Sequence, residues 1–567
     1  MIEDEGLPPR PEGFRVAILT GVEPRIVMRL IEEIHRNVPE ARVCGVLYHQ
    51  LRPLNVRERV RALRKNLRDP SYVSFVVARA VVGVRGVLYR LSRAGLGFLH
   101  AYLPRDDMHR VGLDHLADRC RELGCPLLVT ANVHAPKSLA FVRGLDPDLA
   151  VVYGTPILKP KLFTIPRLGS INIHQRKVPD YRGGGPIGLW EMLDGQPEIG
   201  VTVHRVAKEL DAGAVVRAST IPIQPFSTLE SLALHAHAVG IDLIARAVGD
   251  FARDEVRDVP QTGPSRVFRS PKPPEMRRYE KKIAAGRPPF VPARTRLPWN
   301  LLARSLLFAP VVAVRNWYRR LTGSFPVVVL YHHLVSDRPH PMGIPTGYFL
   351  KHLAFLHRYY RVVDLPTARA MLKSGRVTAP TVVLTFDDGY KDTHQTLRAA
   401  ALETDSPATL FVCSQRVETQ QPFDHDLGWG VEGFLPLTWD QLRDLEAYGY
   451  EIGSHSRTHF DCGSADRDRL SDEVVDSKAE IEMNLGHPIE TFSFPYGLQK
   501  NISRPAMELA EATYPCVSSA YGGANYPGQA GAGTHLFRWS HPNSLWELEL
   551  LLQSILELRQ PPLWTGG

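Results

Sequence analysis

The sequence predicts two α/β domains in one chain: a Rossmann-like parallel sheet with helices on both faces, then a barrel-type domain. Three observations lead there. Short apolar runs alternate with helical patterns through the first half, the signature of a mostly parallel sheet covered on both sides. A stretch with nine prolines between Pro260 and Pro298 interrupts the pattern. Beyond it, successive strand-like runs end in polar, chemistry-bearing residues, as on the catalytic face of a barrel. At 567 residues the chain is also too long for one core.

The elements follow in order. FRVAILTG (Phe14–Gly21) reads as a buried strand, followed by a helical pattern with Ile26, Met28, Leu30, Ile31 and Ile34 apolar among charges. ARVCGVLYH is a second strand, and PLLVT, DLAVVYG, GSINIH and GVTVHRV supply further ones. The first turn, LTGVEPR, lacks G-x-G-x-x-G, so the layout is Rossmann-like without a dinucleotide fingerprint. Seven Lys/Arg and one acid lie between Arg52 and Arg68, ahead of an apolar run from Val73 to Leu91. The plain reading is a helical insertion with a solvated basic face; the sharper one is peripheral contact with anionic membrane lipid. The proline-rich stretch is expected to be a linker, since proline breaks helices and central strands. RSLLFAPVVAVRNWYRR then reads as a short amphipathic segment before the second half starts at Phe325. The expected divisions are a disordered 1–13, a domain over 14–258, a basic linker over 259–322 and a domain over 323–567.

Composition narrows the setting. The chain is 44% hydrophobic and 23% charged, ordinary for globular protein, and its net charge of +8 favours anionic partners. Six cysteines without paired spacing point to free thiols rather than a disulfide framework. The N-terminus is acidic and proline-rich, unlike a secretory signal, and the apolar run Ser305–Val314 is too short to span a bilayer. A cytoplasmic protein is expected.

In the second half, TVVLTFDDGY (Thr381–Tyr390) is a buried strand ending in two adjacent carboxylates. Asp-Asp-Gly alone would be a plain turn, but burying two carboxylates together calls for a cation or a shared proton. Thr438-Trp-Asp-Gln441 is a capping-box helix start, and the strand YEIGSH that follows delivers His455 and His459. Two histidines so spaced at a strand end are a metal-ligand signal. A helix near Ser471–Leu485 leads to TFSFPYG, another strand with a Pro-Tyr-Gly end.

T-F-D-D-G, H-S-x-x-H and F-x-F-P-Y-G, in that order, resemble the polysaccharide deacetylase (NodB-like) family from about Phe325 onward. The resemblance implies a distorted (β/α) barrel. It makes Asp388, His455 and His459 the ligands of a divalent metal, typically zinc, and Asp387 the general base. The Tyr496 backbone N–H would donate to the oxyanion. His541 is the first candidate for the general acid and His535 the second, while Tyr331-His332 matches a signature lining the site. Many members carry an arginine ahead of Pro-Tyr that steadies the base; here Phe492 and Phe494 stand there, and Arg538 is the alternative.

In the first half, GSINIHQRKVPDYRGGGP (Gly169–Pro186) places Asn172 and His174 on one face of a strand, before a glycine-rich loop. KELDAGAVV follows, with Asp211. An Asn can donate to a carbonyl oxygen, and an Asp can keep a histidine oriented. With DLAVVYGTPILKP and GVTVH, the string resembles the formyltransferases that use 10-formyltetrahydrofolate, over about Phe14–Asp258. The resemblance implies a catalytic trio of Asn172, His174 and Asp211. It also implies a folate pocket shaped by Tyr153, Gly154, Thr155, Pro156, Ile157 and Leu158. HQRKVP departs from the usual His-Pro-Ser-Leu-Leu-Pro beside the amine acceptor, and a tRNA acceptor, or any nucleic acid, is not expected.

Together the resemblances imply a bifunctional enzyme. One half would remove an N-acetyl group from an amino sugar, nucleotide- or lipid-linked, and the other would formylate a sugar amine. The alternatives are a deformylase barrel acting at another step, or one half serving only as a glycan- or folate-binding module.

Overall fold

The computed structural model describes residues 13–50, 112–285, 299–529, 531–542 and 545–553. The basic segment Arg52–Arg68, the run Val73–Leu91 and residues 1–12 lie outside the described residues. The described residues form two compact units, one of 13–50, 112–224 and 228–285, the other of 225–227 and 299 onward.

The first unit holds β1 (Phe14–Thr20), β2 (Ala41–His49), β3 (Leu127–Thr130), β4 (Leu149–Tyr153), β5 (Ser170–His174), β6 (Arg182–Gly183), β7 (Glu198–Arg205), β8 (Val215–Pro222) and β9 (Val267–Phe268). Seven of them make one sheet in the order β3-β2-β1-β4-β5-β7-β8. Strands β3 through β5 in that order run parallel. β4 is buried at every position because helices cover both faces, so an uninterrupted apolar run suits it better than alternation. β7 and β8 close the sheet antiparallel. Only the short loop 206–214 joins them, and a hairpin connection permits no parallel pairing. Helices Pro24–Asn37 and Leu229–Ala252 pack on the sheet and on each other. Helix Pro136–Leu145 lies so close to β2 that a Cβ on Gly45 would come within 2.6 Å of Leu145.

The expected linker differs from its reading. Val267–Phe268 pairs with Arg182–Gly183, and a helix spans Pro273–Ala285, so the first unit runs to residue 285. Pro273 and Pro274 stand in the first turn of that helix, where a missing N–H leaves no intrahelical bond unmade. A second helix, Trp299–Thr322, carries Pro310 in its interior and opens the second unit.

The second unit holds β10 (Val327–His332), β11 (Leu334–Val335), β12 (Gly343–Ile344), β13 (Arg361–Val362), β14 (Thr381–Phe386), β15 (Ala408–Val412), β16 (Glu451–Ser454), β17 (Thr491–Ser493), β18 (Cys516–Ser519) and β19 (His535–Ser540). Pairing runs β10-β19-β18-β17-β16-β15-β14, and β14 pairs again with β10. A closed barrel of seven parallel strands results, with β13 appended to β14. The expected (β/α) barrel is therefore the observed one. Its core joins Val327, Val329, Val383, Phe411 and Leu536 with Leu365, Ala368 and Leu372 of the helix Leu365–Lys373. Each such fully buried Val, Leu or Phe side chain contributes roughly 1.5–3 kcal/mol. The capping box forms as read: Gln441 N donates to Thr438 Oγ1, and Thr438 N to Gln441 Oε1.

Candidate active sites

In the barrel, β14, β16 and β17 each deliver their polar residues just past the last strand position, the end at which parallel barrels gather chemistry. Asp387 and Asp388 follow β14 and are buried. Asp388 has φ of 69°, a left-handed conformation unusual for a non-glycine residue, and this turn gives the two neighbours separate partners.

Asp388 Oδ1 lies 3.2 Å from His459 Nε2 and 3.6 Å from His455 Nε2. One ligand atom from each of the three residues lies within 4.8 Å of the others. Both Asp388 oxygens are buried without a hydrogen-bond partner. Burial opposes ionisation of Asp388, but the imidazoles of His459, His333 and His455 outweigh it and hold the carboxyl far below its usual range. His455 Nδ1 donates to the Ser493 carbonyl at 2.7 Å, which leaves Nε2 free as a ligand. Burial pushes the His455 ring down to about 4.

Asp387 faces the other way. Arg538, from the middle of β19, meets both its oxygens at 2.7 and 2.9 Å and also donates to Thr385 and Ser493. The guanidinium packs over the Tyr331 ring at 5.0 Å and the Phe411 ring at 5.3 Å. Burial raises the Asp387 pKa, and Arg538 chiefly overrides it, so the carboxyl stays ionised.

The loop carrying the histidines is pinned by a residue the motif does not contain. Buried Glu473 accepts from the backbone N–H of Arg457 and Thr458, at 3.0 and 2.8 Å, and from Thr458 Oγ1 at 2.6 Å. It sits in a π-helical turn, Asp472–Asp476, inside the helical stretch expected near Ser471–Leu485. Such turns re-aim side chains at functional sites. His425 is a second addition: its Nε2 stands 4.0 Å from Asp388 Oδ2 and 2.8 Å from the Tyr390 hydroxyl. Tyr390 in turn donates to Asp426, whose other oxygen meets His340 at 3.0 Å.

Tyr496 is half exposed, its φ is 59°, and its ring lies 4.8 Å from that of His459. No described residue accepts its backbone N–H. His541 is buried in a stack of imidazoles: its Nε2 meets His352 Nδ1 at 2.7 Å, and its ring centroid is 4.2 Å from that of His332. Burial, then His352, keeps it well below its usual pKa. His535 instead bonds the Ser519 hydroxyl and packs against Tyr521 and Phe537.

In the first unit, β5 presents Asn172 and His174 two residues apart on one face. His174 Nε2 donates to the Tyr181 carbonyl at 2.7 Å, and His174 Nδ1 faces Asp211 Oδ2 at 3.7 Å. Asp211, on the β7–β8 loop with φ of 50°, accepts from Gly183 N at 2.9 Å. Burial works against its ionisation, but His204, His174 and the Gly183 N–H lower it to about 2. His204 is the residue sequence reasoning missed. Its Nε2 lies 3.2 Å from Asn172 Nδ2 and 3.6 Å from Asp211 Oδ1, so it ties the trio together. GVTVHRV contained it, but only as a strand.

β4 pairs with β5, Val152 opposite Asn172, so Tyr153–Leu158 leaves the sheet at the end where the trio sits. Tyr153 is buried, with its hydroxyl on His237, and Ile157 is exposed. In the divergent HQRKVP stretch, Gln175 donates to both Tyr153 and His237, while Arg176 turns inward to the carbonyls of Gly185 and Pro186.

Residues 121–248 match the formyl transferase family, and residues 374–515 match the polysaccharide deacetylase family. The two resemblances read from the motifs are thus borne out over these two stretches. Among curated relatives, the methionyl-tRNA formyltransferase of Citrifermentans bemidjiense is 35% identical over 134 residues, 24% of this chain and 42% of the relative. That of Rhodopirellula baltica is 33% identical over 183 residues, 31% of this chain and 54% of the relative. The chain spans about half or less of the length of these relatives. Among solved structures, IcaB from Ammonifex degensii is 21% identical, covering 40% of this chain and 97% of that one with a TM-score of 0.35. A sugar N-formyltransferase from a Shewanella species is 14% identical, covering 45% and 76%, with a TM-score of 0.28.

Proposed function

We propose that the chain is a bifunctional carbohydrate-modifying enzyme. Its barrel hydrolyses the N-acyl group, first of all N-acetyl, of an amino sugar, and its first unit transfers formyl from 10-formyltetrahydrofolate to a sugar amine. The observation that carries the reading is the divergence of Asp387 and Asp388, one clamped by Arg538 and the other turned to two imidazoles.

The set of Asp388, His455 and His459 fits a zinc-type ion, since a buried, unpartnered carboxylate beside two imidazoles is a donor set zinc accepts. When bound, such an ion polarises the acyl oxygen and makes water more acidic. Arg538 keeps Asp387 ionised and fixes its orientation, so that Asp387 takes the proton of the attacking water. The sugar nitrogen gains a proton in turn as the C–N bond breaks and acetate leaves. The Tyr496 N–H is placed to donate to the oxygen that gains charge.

In the first unit, the amine nitrogen attacks the formyl carbon while Asn172 and His174 stabilise the resulting oxyanion. Collapse of that adduct breaks the bond from the formyl carbon to N10 and releases tetrahydrofolate, N10 gaining in turn the proton the amine loses. Asp211 supports His174 and receives the amine proton. His204 holds Asn172 and Asp211 in register, and Tyr153–Leu158 borders the folate. A nucleotide- or lipid-linked amino sugar suits both chemistries, because removal of an acyl group exposes the amine that formylation consumes. The six cysteines, free and buried, support work in the reducing cytoplasm.

The test is incubation of the full chain with zinc, 10-formyltetrahydrofolate and N-acetylated nucleotide sugars, followed by mass spectrometry. Acetate and an N-formyl sugar are expected. If the free amine accumulates and no formyl sugar forms with donor present, the coupled reading fails.

A further inference from the structure

The helix Trp299–Thr322 carries a second apolar face over its described part, beside the one that buries Val312 and Ala313. Val311, Val314, Trp317, Tyr318 and Leu321 are 56–66% exposed. Four of them fall at helical spacing, so they form one outward stripe. Three polar residues turn inward alongside Val312 and Ala313. Asn316 is buried and donates to Gln553 Oε1 at 3.0 Å, Arg315 reaches the Gln553 carbonyl, and Arg319 donates to the Tyr526 hydroxyl at 3.2 Å. Folding of this unit therefore does not account for the outward apolar face, and something outside it must.

The charges indicate what. No Asp or Glu occurs between Trp299 and Asp337, so the charged side chains of the helix are all cationic. Arg320 is exposed beside the stripe, and Arg376, also exposed, packs against Gly323 just past the helix end. Tryptophan and tyrosine beside aliphatic side chains, bordered by arginine, match the layering of a lipid headgroup region, where amphipathic rings and cations both find partners. A second copy of the chain fits poorly. Five side chains on one helix fall short of the 20–30 residues a side typical of a stable interface, and facing copies would bring acid-free basic segments together.

We propose that this stripe seats the chain on the surface of a bilayer bearing anionic phospholipid, with Arg320 and Arg376 on the headgroups. The proposal is independent of the chemistry assigned to either site. Its test is co-sedimentation of the full chain with phosphatidylcholine vesicles, with and without phosphatidylglycerol, for wild type and for the double variant Val314→Glu/Leu321→Glu. Wild type is expected to bind the anionic vesicles, and the variant to bind about tenfold or more weakly. Thermal unfolding of the variant should match wild type, since both positions face outward; a second double variant, Arg320→Gln/Arg376→Gln, should weaken binding without touching the stripe. Absence of wild-type binding, equal binding by the stripe variant, or indifference to phosphatidylglycerol would overturn the proposal. So would a wild-type dimer that the stripe variant converts to monomer, which would mark a protein interface.

Discussion

Arg538 holds Asp387 by both carboxylate oxygens, Nη1 on Oδ1 at 2.7 Å and Nη2 on Oδ2 at 2.9 Å. The guanidinium fork matches the carboxylate plane, so charge and orientation are fixed together. Arg538→Lys keeps the charge and loses the fork. Steady-state deacetylation should fall about 10- to 100-fold in kcat, with zinc content unchanged. Arg538 lowers the Asp387 pKa, so its removal raises that pKa, and the base form is then lost at higher pH. Arg538→Met should accordingly move the acid limb of the pH–rate profile upward. An unmoved limb would mean that Asp387 is not the base.

Glu473 fixes the His455–His459 loop through three hydrogen bonds, two of them to backbone N–H groups. Glu473→Gln retains the shape but cannot accept all three as a carboxylate does. Zinc affinity, read by competition with a chromophoric chelator, should weaken about 10- to 100-fold. His459→Ala should weaken it further, and chelation should abolish deacetylation while sparing formyl transfer. Equal loss of both activities on chelation would refute the assignment of the metal to the barrel alone.

His204 touches Asn172 and stands close to Asp211 without lying on the same strand as either. Formyl transfer by His204→Ala should drop about 10- to 100-fold, and deacetylation should be untouched. Asp211 titrates near 2, below its usual value, so the function and stability it supplies are lost only as pH falls toward 2. Formyl transfer should therefore show no limb from Asp211 above about pH 4, whereas Asp211→Asn should be impaired at every pH.

Glu451, at the start of β16, is pushed up to about 7 by burial, with Thr409 donating to it at 2.8 Å. The folded state then favours the protonated acid more than the unfolded state does. Stability is highest below the unfolded value near 4.5 and falls as pH rises toward 7. Glu451→Gln should raise the Tm by a few degrees at pH 8 and have little effect at pH 4.5, as scanned by calorimetry. A larger gain at the acid end would reverse the assignment.

What could be read from the sequence was local. Asp387-Asp388, His455–His459 and Asn172–His174 each lie within five residues on a strand and its exit, so a short string carried their geometry. The residues that hold them come from elsewhere in the chain. Arg538 reaches Asp387 across 151 positions, and His204 reaches Asn172 across 32. Nothing local distinguishes Arg538 from any other strand arginine, so with Phe492 and Phe494 ahead of Pro495 it stood only as an alternative. Glu473 depends on a π turn with no evident marker in DEVVD. The proline-rich stretch misled for a different reason: proline opposes a helix interior, yet Pro273 and Pro274 begin one.

β19 has a consequence for how the molecule comes into being. It is the strand that pairs with both β18 and β10 and so shuts the cylinder, and it also carries Arg538. On the ribosome, the N-terminal sheet can finish while the later strands are still being made. The acid at Asp387, by contrast, emerges long before its cation. Until the last strand is synthesised and inserted, the half-made cylinder has two open edges and a carboxylate with no guanidinium to meet it. Completion of the second unit and arming of its chemistry are thus one event, set by the insertion of β19.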